Sequence, residues 1–361
     1  MQPPERAPVR DPSLAPAGVR PSDPVARFLG YLRRHPIICL ALLTPGLPEY
    51  LSTSSPLLNL VENPAFFFLQ LAINVGQYTA GALLVREAVI RWRKGWATVF
   101  LLGSAYGILE EGIGDQTLVN STHGADGVLG TYGRFAGVNW VWSTGVLAFH
   151  VVYSIGLPIL LLGLALPSTR GRSLIGSSGI LVAFVSLAVT TSTESLLVER
   201  ADGFWLGVPL VVSALGAIVL LVLAGWKAPS GGLVARGLTP RLTPLTSFLV
   251  GFAVFPLAFV LEYGFAGTRV PAGLVIATEL VAFALLLELV RRRIGLRGNE
   301  YALVHLAFGF VVWQCVFGVL LTIGLPYTIP LVILVIIFFQ RLRRRYAPTS
   351  PVRAALPEAR I

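Results

Sequence analysis

Charged residues are scarce in this 361-residue chain: they make up 13% of it, whereas soluble domains carry roughly 25%. Hydrophobic residues make up 55%, and the mean hydropathy is +0.74. A water-soluble domain of this length cannot cover itself with so little polar surface. Cysteine is also rare, and because Cys39 and Cys315 both lie in apolar stretches, they predict neither a disulfide framework nor a metal site. The composition excludes a soluble enzyme and a disulfide scaffold, and it indicates an integral membrane protein.

Apolar segments follow one another along the chain, most of them near the roughly 20 residues that a helix needs to cross a bilayer. Their limits are 37–52, 64–85, 97–118, 139–166, 174–196, 204–225, 244–264, 271–290, 301–322 and 324–340. The first is broken by proline and the last is short, so either could be re-entrant. The sequence predicts an all-α transmembrane bundle of about ten spans over residues 36–340. A Pro-rich basic tail at 1–35, expected to be disordered, and a basic tail at 341–361 flank it.

The basic residues indicate an orientation. The net charge is +10, but the charges cluster in short segments between the apolar runs, which is typical of membrane topology and not of nucleic-acid binding. If the N-terminus is cytoplasmic, all of the 28 lysines and arginines except Arg134, Arg200 and Arg269 lie on the cytoplasmic side. The positive-inside rule therefore predicts that both termini are cytoplasmic. We expect the clusters Arg291–Arg293 and Arg341–Arg345 to contact anionic lipids.

Ionisable groups inside the membrane are costly, so each one needs a reason. The third span carries Glu110, Glu111 and Asp115, and the fourth carries His150. From the helix rise, Glu110 lies about 12 Å and His150 about 16 Å below the same outer surface. We take Glu110, Glu111 and His150 as the candidate catalytic residues.

Further polar groups are predicted at a similar depth in the outer half of the bilayer. Pro158 frees the carbonyl of Ser154, which places that residue near His150 and Tyr153. The convergence predicts a hydrated polar site. Its lining would be Gln70, Asn74, Gln77, Asp115, Tyr153, Ser154 and Glu279. Glu49 and Glu262 lie near outer helix ends, where interfacial solvation explains them. Interhelical hydrogen bonding without ligand binding is the competing interpretation of these polar residues.

The pair Glu110–Glu111 in one apolar helix, followed by His150 in the next, resembles the CPBP (Abi/Rce1-like) intramembrane glutamate proteases. In that family a glutamate pair activates water, and histidine and asparagine side chains hold the oxyanion. This sequence departs from the family pattern at three positions. Asp115 stands where the first motif has arginine, Val146 replaces the phenylalanine before the histidine, and Ser154 replaces the asparagine or aspartate after it.

A second resemblance is to uncharacterised archaeal and bacterial multi-pass membrane proteins. It rests on the stretch from Val85–Ala88 to Trp96, on Gly107–Gly112 and on Asn139–Trp142. It implies the plasma membrane of a prokaryote and brings no activity.

Three classes of function remain open. The first is a membrane-embedded hydrolase, of the glutamate-dependent protease kind, and the second is a proton-coupled secondary transporter. The third is a non-catalytic membrane protein. Ten spans divide into two inverted halves of five, each beginning with a broken helix at Pro45–Pro48 or Gly207–Pro209, which favours a transporter. The sequence predicts no cofactor and does not identify a substrate.

Overall fold

The computed structural model describes residues 24–123, 129–230, 242–294, 299–321 and 328–347. This part of the chain is almost entirely helical. Its α-helices are α1 Pro24–Arg34, α2 Pro36–Pro45, α3 Asn59–Glu62, α4 Pro64–Arg91, α5 Trp96–Leu109, α6 Trp140–Phe149, α7 Leu157–Ala165, α8 Ser177–Asp202, α9 Val208–Lys227, α10 Pro244–Phe265, α11 Ala272–Leu289, α12 Glu300–Leu321 and α13 Thr328–Tyr346. The strands β1 Arg134–Phe135 and β2 Val138–Asn139 pair antiparallel, with Arg134 opposite Asn139. The fold is the all-α polytopic bundle that the composition predicts.

Four π-helical turns and one 3₁₀ turn interrupt or extend these helices. They are Gly46–Tyr50 after α2, Glu110–Gly114 after α5, His150–Gly156 between α6 and α7, Pro167–Thr169 after α7, and Val290–Ile294 after α11. Pro158 lacks an N–H and cannot bond the carbonyl of Ser154, so the ladder shifts before it, and the N–H of Leu157 donates to the carbonyl of Val152. The turns at 110–114 and 150–156 both carry candidate site residues.

Seven of the described helices are long and apolar enough to cross a membrane. They are Pro64–Arg91, Trp140–Ala165, Ser177–Asp202, Val208–Lys227, Pro244–Phe265, Ala272–Arg292 and Glu300–Leu321. Helices α2 and α5 are shorter, and α13 carries four arginines in its last six residues, so the count of ten spans and the orientation of the termini remain predictions.

Side-chain and proline caps begin several helices. Asn63 accepts the N–H of Phe66 ahead of Pro64, and Thr243 accepts the N–H of Thr246 ahead of Pro244. Pro209 also lies in the first turn of its helix, α9. The interpretation of Gly207–Pro209 as a break within a span was therefore wrong: a proline in a first turn starts a helix without interrupting it.

The tails differ from the sequence prediction where they are described. Residues 24–34, expected to be disordered, form α1, whose exposed Phe28 and Tyr31 alternate with arginines as in an interfacial amphipathic helix. Helix α13 continues past residue 340 to Tyr346. The remaining parts of both predicted tails, 1–23 and 348–361, lie outside the described residues.

The bundle has a packed interior and an apolar outer surface. The interior is formed largely by α2, α4, α5, α7 and α12, with Leu40, Ala82 and Val311 completely or almost completely buried. Helices α8, α9, α10 and α11 instead expose many large apolar side chains, such as Val182, Leu220 and Leu257. An apolar exterior of this kind suits contact with lipid chains.

Candidate functional site

Glycines on α5 bring His150 against that helix. A Cβ at Gly103 would lie 3.2 Å from the Cα of Val151, and a Cβ at Gly107 would lie 3.2 Å from the Cβ of His150. The two glycines are one helical turn apart, a spacing that lets helix backbones approach closely in membranes. His150 therefore packs against the last turn of α5, and Glu110 and Glu111 follow directly after that helix.

Both glutamates meet the same nitrogen of His150. Its Nε2 lies 2.7 Å from Oε1 of Glu111 and 3.0 Å from Oε2 of Glu110. Consecutive residues of an α-helix point about 100° apart, so the sequence places the two carboxylates on different faces. The π-helical turn Glu110–Gly114 and the three side-chain torsions of glutamate let them converge. We call Glu110, Glu111 and His150 the carboxylate–histidine centre.

Neutral side chains hydrogen-bond to the centre. Nδ1 of His150 lies 2.9 Å from Oγ of Ser154, one turn along the π-helical segment. The hydroxyl of Thr117 donates to Oε2 of Glu111 and accepts, at 2.7 Å, from the indole N–H of Trp142. Glu110, Glu111 and His150 are 4%, 7% and 1% exposed, so these hydrogen bonds replace the water that the charged groups lose on burial.

Tyr78 links the centre to the broken end of α2. Its hydroxyl lies 2.8 Å from Oε1 of Glu110 and 2.6 Å from Oε1 of Glu49, in the turn Gly46–Tyr50. One hydroxyl carries one proton, so it donates to one of these carboxyl groups and can accept only from the other in its protonated form. The arrangement is therefore a hydrogen-bonded chain along which protons can be redistributed.

Two of the predicted lining residues on α4 reach partners around this chain. Asn74 donates to Ser55 Oγ at 2.9 Å, and the Ser55 hydroxyl donates to Oε2 of Glu49 at 2.9 Å. Gln77 donates to Oε2 of Glu194 on α8, also at 2.9 Å. Both α4 residues are buried and make interhelical or loop hydrogen bonds, as polar membrane residues commonly do.

Three other predicted lining residues are not joined to the centre by any side-chain hydrogen bond of the described residues. Tyr153 is fully buried, and its hydroxyl donates to the carbonyl of Phe310 on α12. The carboxylate of Asp115 lies 3.9 Å from Nε2 of His123. Gln70 is half-buried two turns before Gln77, and the hydrogen bonds of the described residues do not join it to the centre. A similar predicted depth in the membrane does not determine the direction in which a side chain points.

Glu279 belongs to a separate pair. It lies on α11 at 1% exposure and faces Glu262 on α10, which is 5% exposed. The interpretation of Glu262 as a group solvated at the membrane interface was therefore wrong, because the helix ends pack together there. Glu49, interpreted in the same way, hydrogen-bonds to Tyr78 and Ser55.

Several polar partners of these residues were not predicted from the sequence, although some of them leave a signal in it. Glu194 lies inside the predicted span 174–196 and is an intramembrane acid by the criterion applied to Glu110. Tyr78 lies one turn beyond Asn74, on the polar face of α4. Thr117 follows the helix in an irregular segment, where no periodicity could have predicted its contact with Glu111.

The carboxylate–histidine centre is the group of described residues that could hold a metal ion. Each of its three side chains offers one ligand atom, and these atoms lie within 4.8 Å of one another. Imidazole and carboxylate ligands suit several divalent metals. The same geometry also serves acid–base chemistry without a metal.

Comparison with known proteins gives a family. The chain matches the family described as "Uncharacterized membrane protein family" over residues 38–351 and belongs to it. No curated protein and no solved structure matches it. The family description and the apolar helices agree that this is a multi-pass membrane protein.

Proposed function

We propose that this member of the family is a membrane-embedded hydrolase in which Glu110 and Glu111 activate water and His150 stabilises the oxyanion. The observation that carries the proposal is the position of His150 Nε2, within 3.0 Å of both carboxylates. General acid–base catalysis requires partners within about 2.6–3.2 Å. In keeping with the resemblance to prokaryotic membrane proteins, we place it in a prokaryotic plasma membrane.

Glu110 is the better general base of the two acids. Oε2 of Glu110 is buried and has no hydrogen-bond partner among the described residues, although His150 lies at ion-pair distance. Glu111 accepts from Thr117 on one oxygen and lies 2.7 Å from His150 Nε2 on the other. Because His150 Nε2 lies nearer to Glu111, Oε2 of Glu110 is the less committed oxygen and is the one that takes a proton from water, while Glu111 holds the imidazole.

The chemistry follows from these roles. Glu110 removes a proton from water, and the resulting hydroxide attacks the carbonyl carbon of a peptide bond. As the oxyanion forms, the imidazolium of His150 transfers its Nε2–H hydrogen bond from Glu111 to the oxyanion, while Nδ1 stays on Ser154. Protonated Glu110 then gives its proton to the leaving nitrogen as the carbon–nitrogen bond breaks, so the products are a carboxylic acid and an amine. Because the centre is buried, substrate enters only when the surrounding helices separate.

The test is cleavage of membrane-inserted peptides by the purified protein in lipid nanodiscs, read by mass spectrometry. We expect cleavage by the wild-type protein and by Glu62→Gln, which makes the same chemical change at an exposed position of α3. We expect none from Glu110→Gln or His150→Gln. Cleavage at the wild-type rate by both of these variants would contradict the proposal.

A second candidate, proton-coupled transport, is favoured by the bridge that Tyr78 makes between Glu110 and Glu49. This bridge connects the centre to the helix end broken after Pro45, where transporters place their coupling groups. In proteoliposomes holding a pH-sensitive dye, transport predicts proton flux that Tyr78→Phe abolishes. A hydrolase predicts no such flux.

We also infer that anionic lipid headgroups contact the basic end of α13. Arg341, Arg343 and Arg344 are exposed there, whereas Arg291 and Arg292 are already paired with Glu288. Exposed clusters of this kind attract anionic lipids.

A further inference from the structure

A second buried carboxyl pair, formed by Glu262 and Glu279, lies outside the carboxylate–histidine centre. The two carboxyl groups are interacting neighbours on the packed helices α10 and α11. Both oxygens of Glu279 and Oε1 of Glu262 are buried without a hydrogen-bond partner among the described residues. Glu262 also lies against the backbone of Gly145 on α6, where any Cβ would overlap its carboxylate. The pair therefore lies between helices α6, α10 and α11.

The hydrogen-bond capacity of this pair depends on its proton content. Two ionised carboxylates are acceptors only and can make no bond to each other. They would also repel strongly in a region shielded from water. One added proton turns the same geometry into a hydrogen bond between an acid and a carboxylate, and it removes half of the buried charge.

No nearby basic group in the described part of the chain compensates the negative charge of the pair in place of that proton. No basic side chain among the described residues lies within ion-pair distance of either carboxylate, and α6 carries no titratable residue. The other titratable groups on the elements packed against the pair, on the loop before β1 and on the α10–α11 loop are Tyr132, Tyr263, Arg269, Glu288, Arg291, Arg292, Glu300, Tyr301, His305 and Cys315. Arg269 is exposed, Arg291 and Arg292 pair with Glu288, and no ion pair joins any of these basic groups to Glu262 or Glu279. The negative charge of the pair is therefore compensated by a bound proton or by another bound cation.

We propose that Glu262 and Glu279 form a second, proton-binding site, in which one carboxylic acid shares its proton with one carboxylate and exchanges it with water at the α10–α11 loop. The path of the proton to water is shortest on the side of the α10–α11 loop. Glu262 lies about 5 Å from the end of α10, and Glu279 lies about 10 Å from the start of α11, from the helix rise. This proposal is independent of hydrolysis at the carboxylate–histidine centre.

The test is infrared spectroscopy of the whole protein in lipid nanodiscs at neutral pH, because a protonated carboxyl has a carbonyl stretch that a carboxylate lacks. We expect a protonated-carboxyl band that shifts in heavy water. Glu262→Gln and Glu279→Gln should each reduce that band by the component that belongs to this pair, leaving any component from Glu49 or Glu110, since an amide N–H supplies the hydrogen bond that the acid supplied. Glu62→Gln should retain it.

Three results would overturn the proposal. The band could keep its full intensity in both glutamine variants, or it could fail to shift in heavy water, which would mean a static proton. It could also vanish when sodium chloride replaces choline chloride at constant pH, which would assign the site to a metal cation. If a single variant does not fold, the double variant Glu262→Gln/Glu279→Gln keeps an amide–amide hydrogen bond and gives the same readout.

Discussion

At the scale of the residue, the hydroxyl of Tyr78 joins two carboxyl groups. It is the one described donor that lies between the carboxyl groups of Glu49 and Glu110, and its side chain is 2% exposed. A buried acceptor that loses its donor cannot recover the bond from water. The loss of this hydroxyl therefore leaves a buried carboxyl oxygen without its donor.

We predict that Tyr78→Phe lowers the free energy of unfolding by about 1–3 kcal/mol, the cost of leaving a buried polar group unsatisfied. Thermal unfolding of the purified protein in detergent measures this. The matched control is Tyr106→Phe, because the Tyr106 hydroxyl is buried and has no partner among the described residues. Equal shifts in the two variants would show that the bridge adds nothing to stability.

At the scale of the element, helices α10 and α12 cross with their backbones in direct contact. A Cβ at Gly309 would overlap the carbonyl of Phe248 and come within 2.7 Å of the N of Phe252. A Cβ at Gly251 would likewise overlap the carbonyl of Leu306. The crossing fixes α10, and hence Glu262, relative to the interior.

We predict that Gly309→Ala destabilises the protein by about 1–3 kcal/mol or more, because backbone atoms cannot move aside as a flexible side chain can. Gly216→Ala on α9 is the matched control: nothing lies within 4 Å of its added Cβ. A midpoint of thermal unfolding that falls no further in Gly309→Ala than in Gly216→Ala would argue against the tight crossing.

The elements also show how far the sequence could predict the structure. Composition and run length predicted the helices and placed Glu110, Glu111 and His150 at one depth, because helix rise is fixed. They could not predict the contact between these three residues, which depends on how Gly103 and Gly107 let two helices approach. Glu279 illustrates the same limit: its depth was similar, but its helix turns it toward Glu262.

At the scale of the whole molecule, the distribution of basic residues predicts the topology. Reporter fusions after residues 94, 172, 236 and 295 should be cytoplasmic, and fusions near 126, 200 and 268 should be external. Paired phosphatase and fluorescent-protein fusions measure this directly. A consistent reversal in the middle of the chain would show that the number of spans is not ten.

The hydrolytic role of the carboxylate–histidine centre is tested most directly by the origin of the oxygen in the product. Peptides cleaved in water labelled with heavy oxygen should carry a solvent oxygen in each new carboxyl terminus, with Glu110 as the group that activates the water. The yield of labelled product should vanish in Glu110→Gln, while thermal unfolding stays nearly unchanged, since the amide keeps the shape and hydrogen-bonding capacity of the acid. Labelled product at full yield from Glu110→Gln, or a collapse of its stability without loss of hydrolysis, would contradict the account.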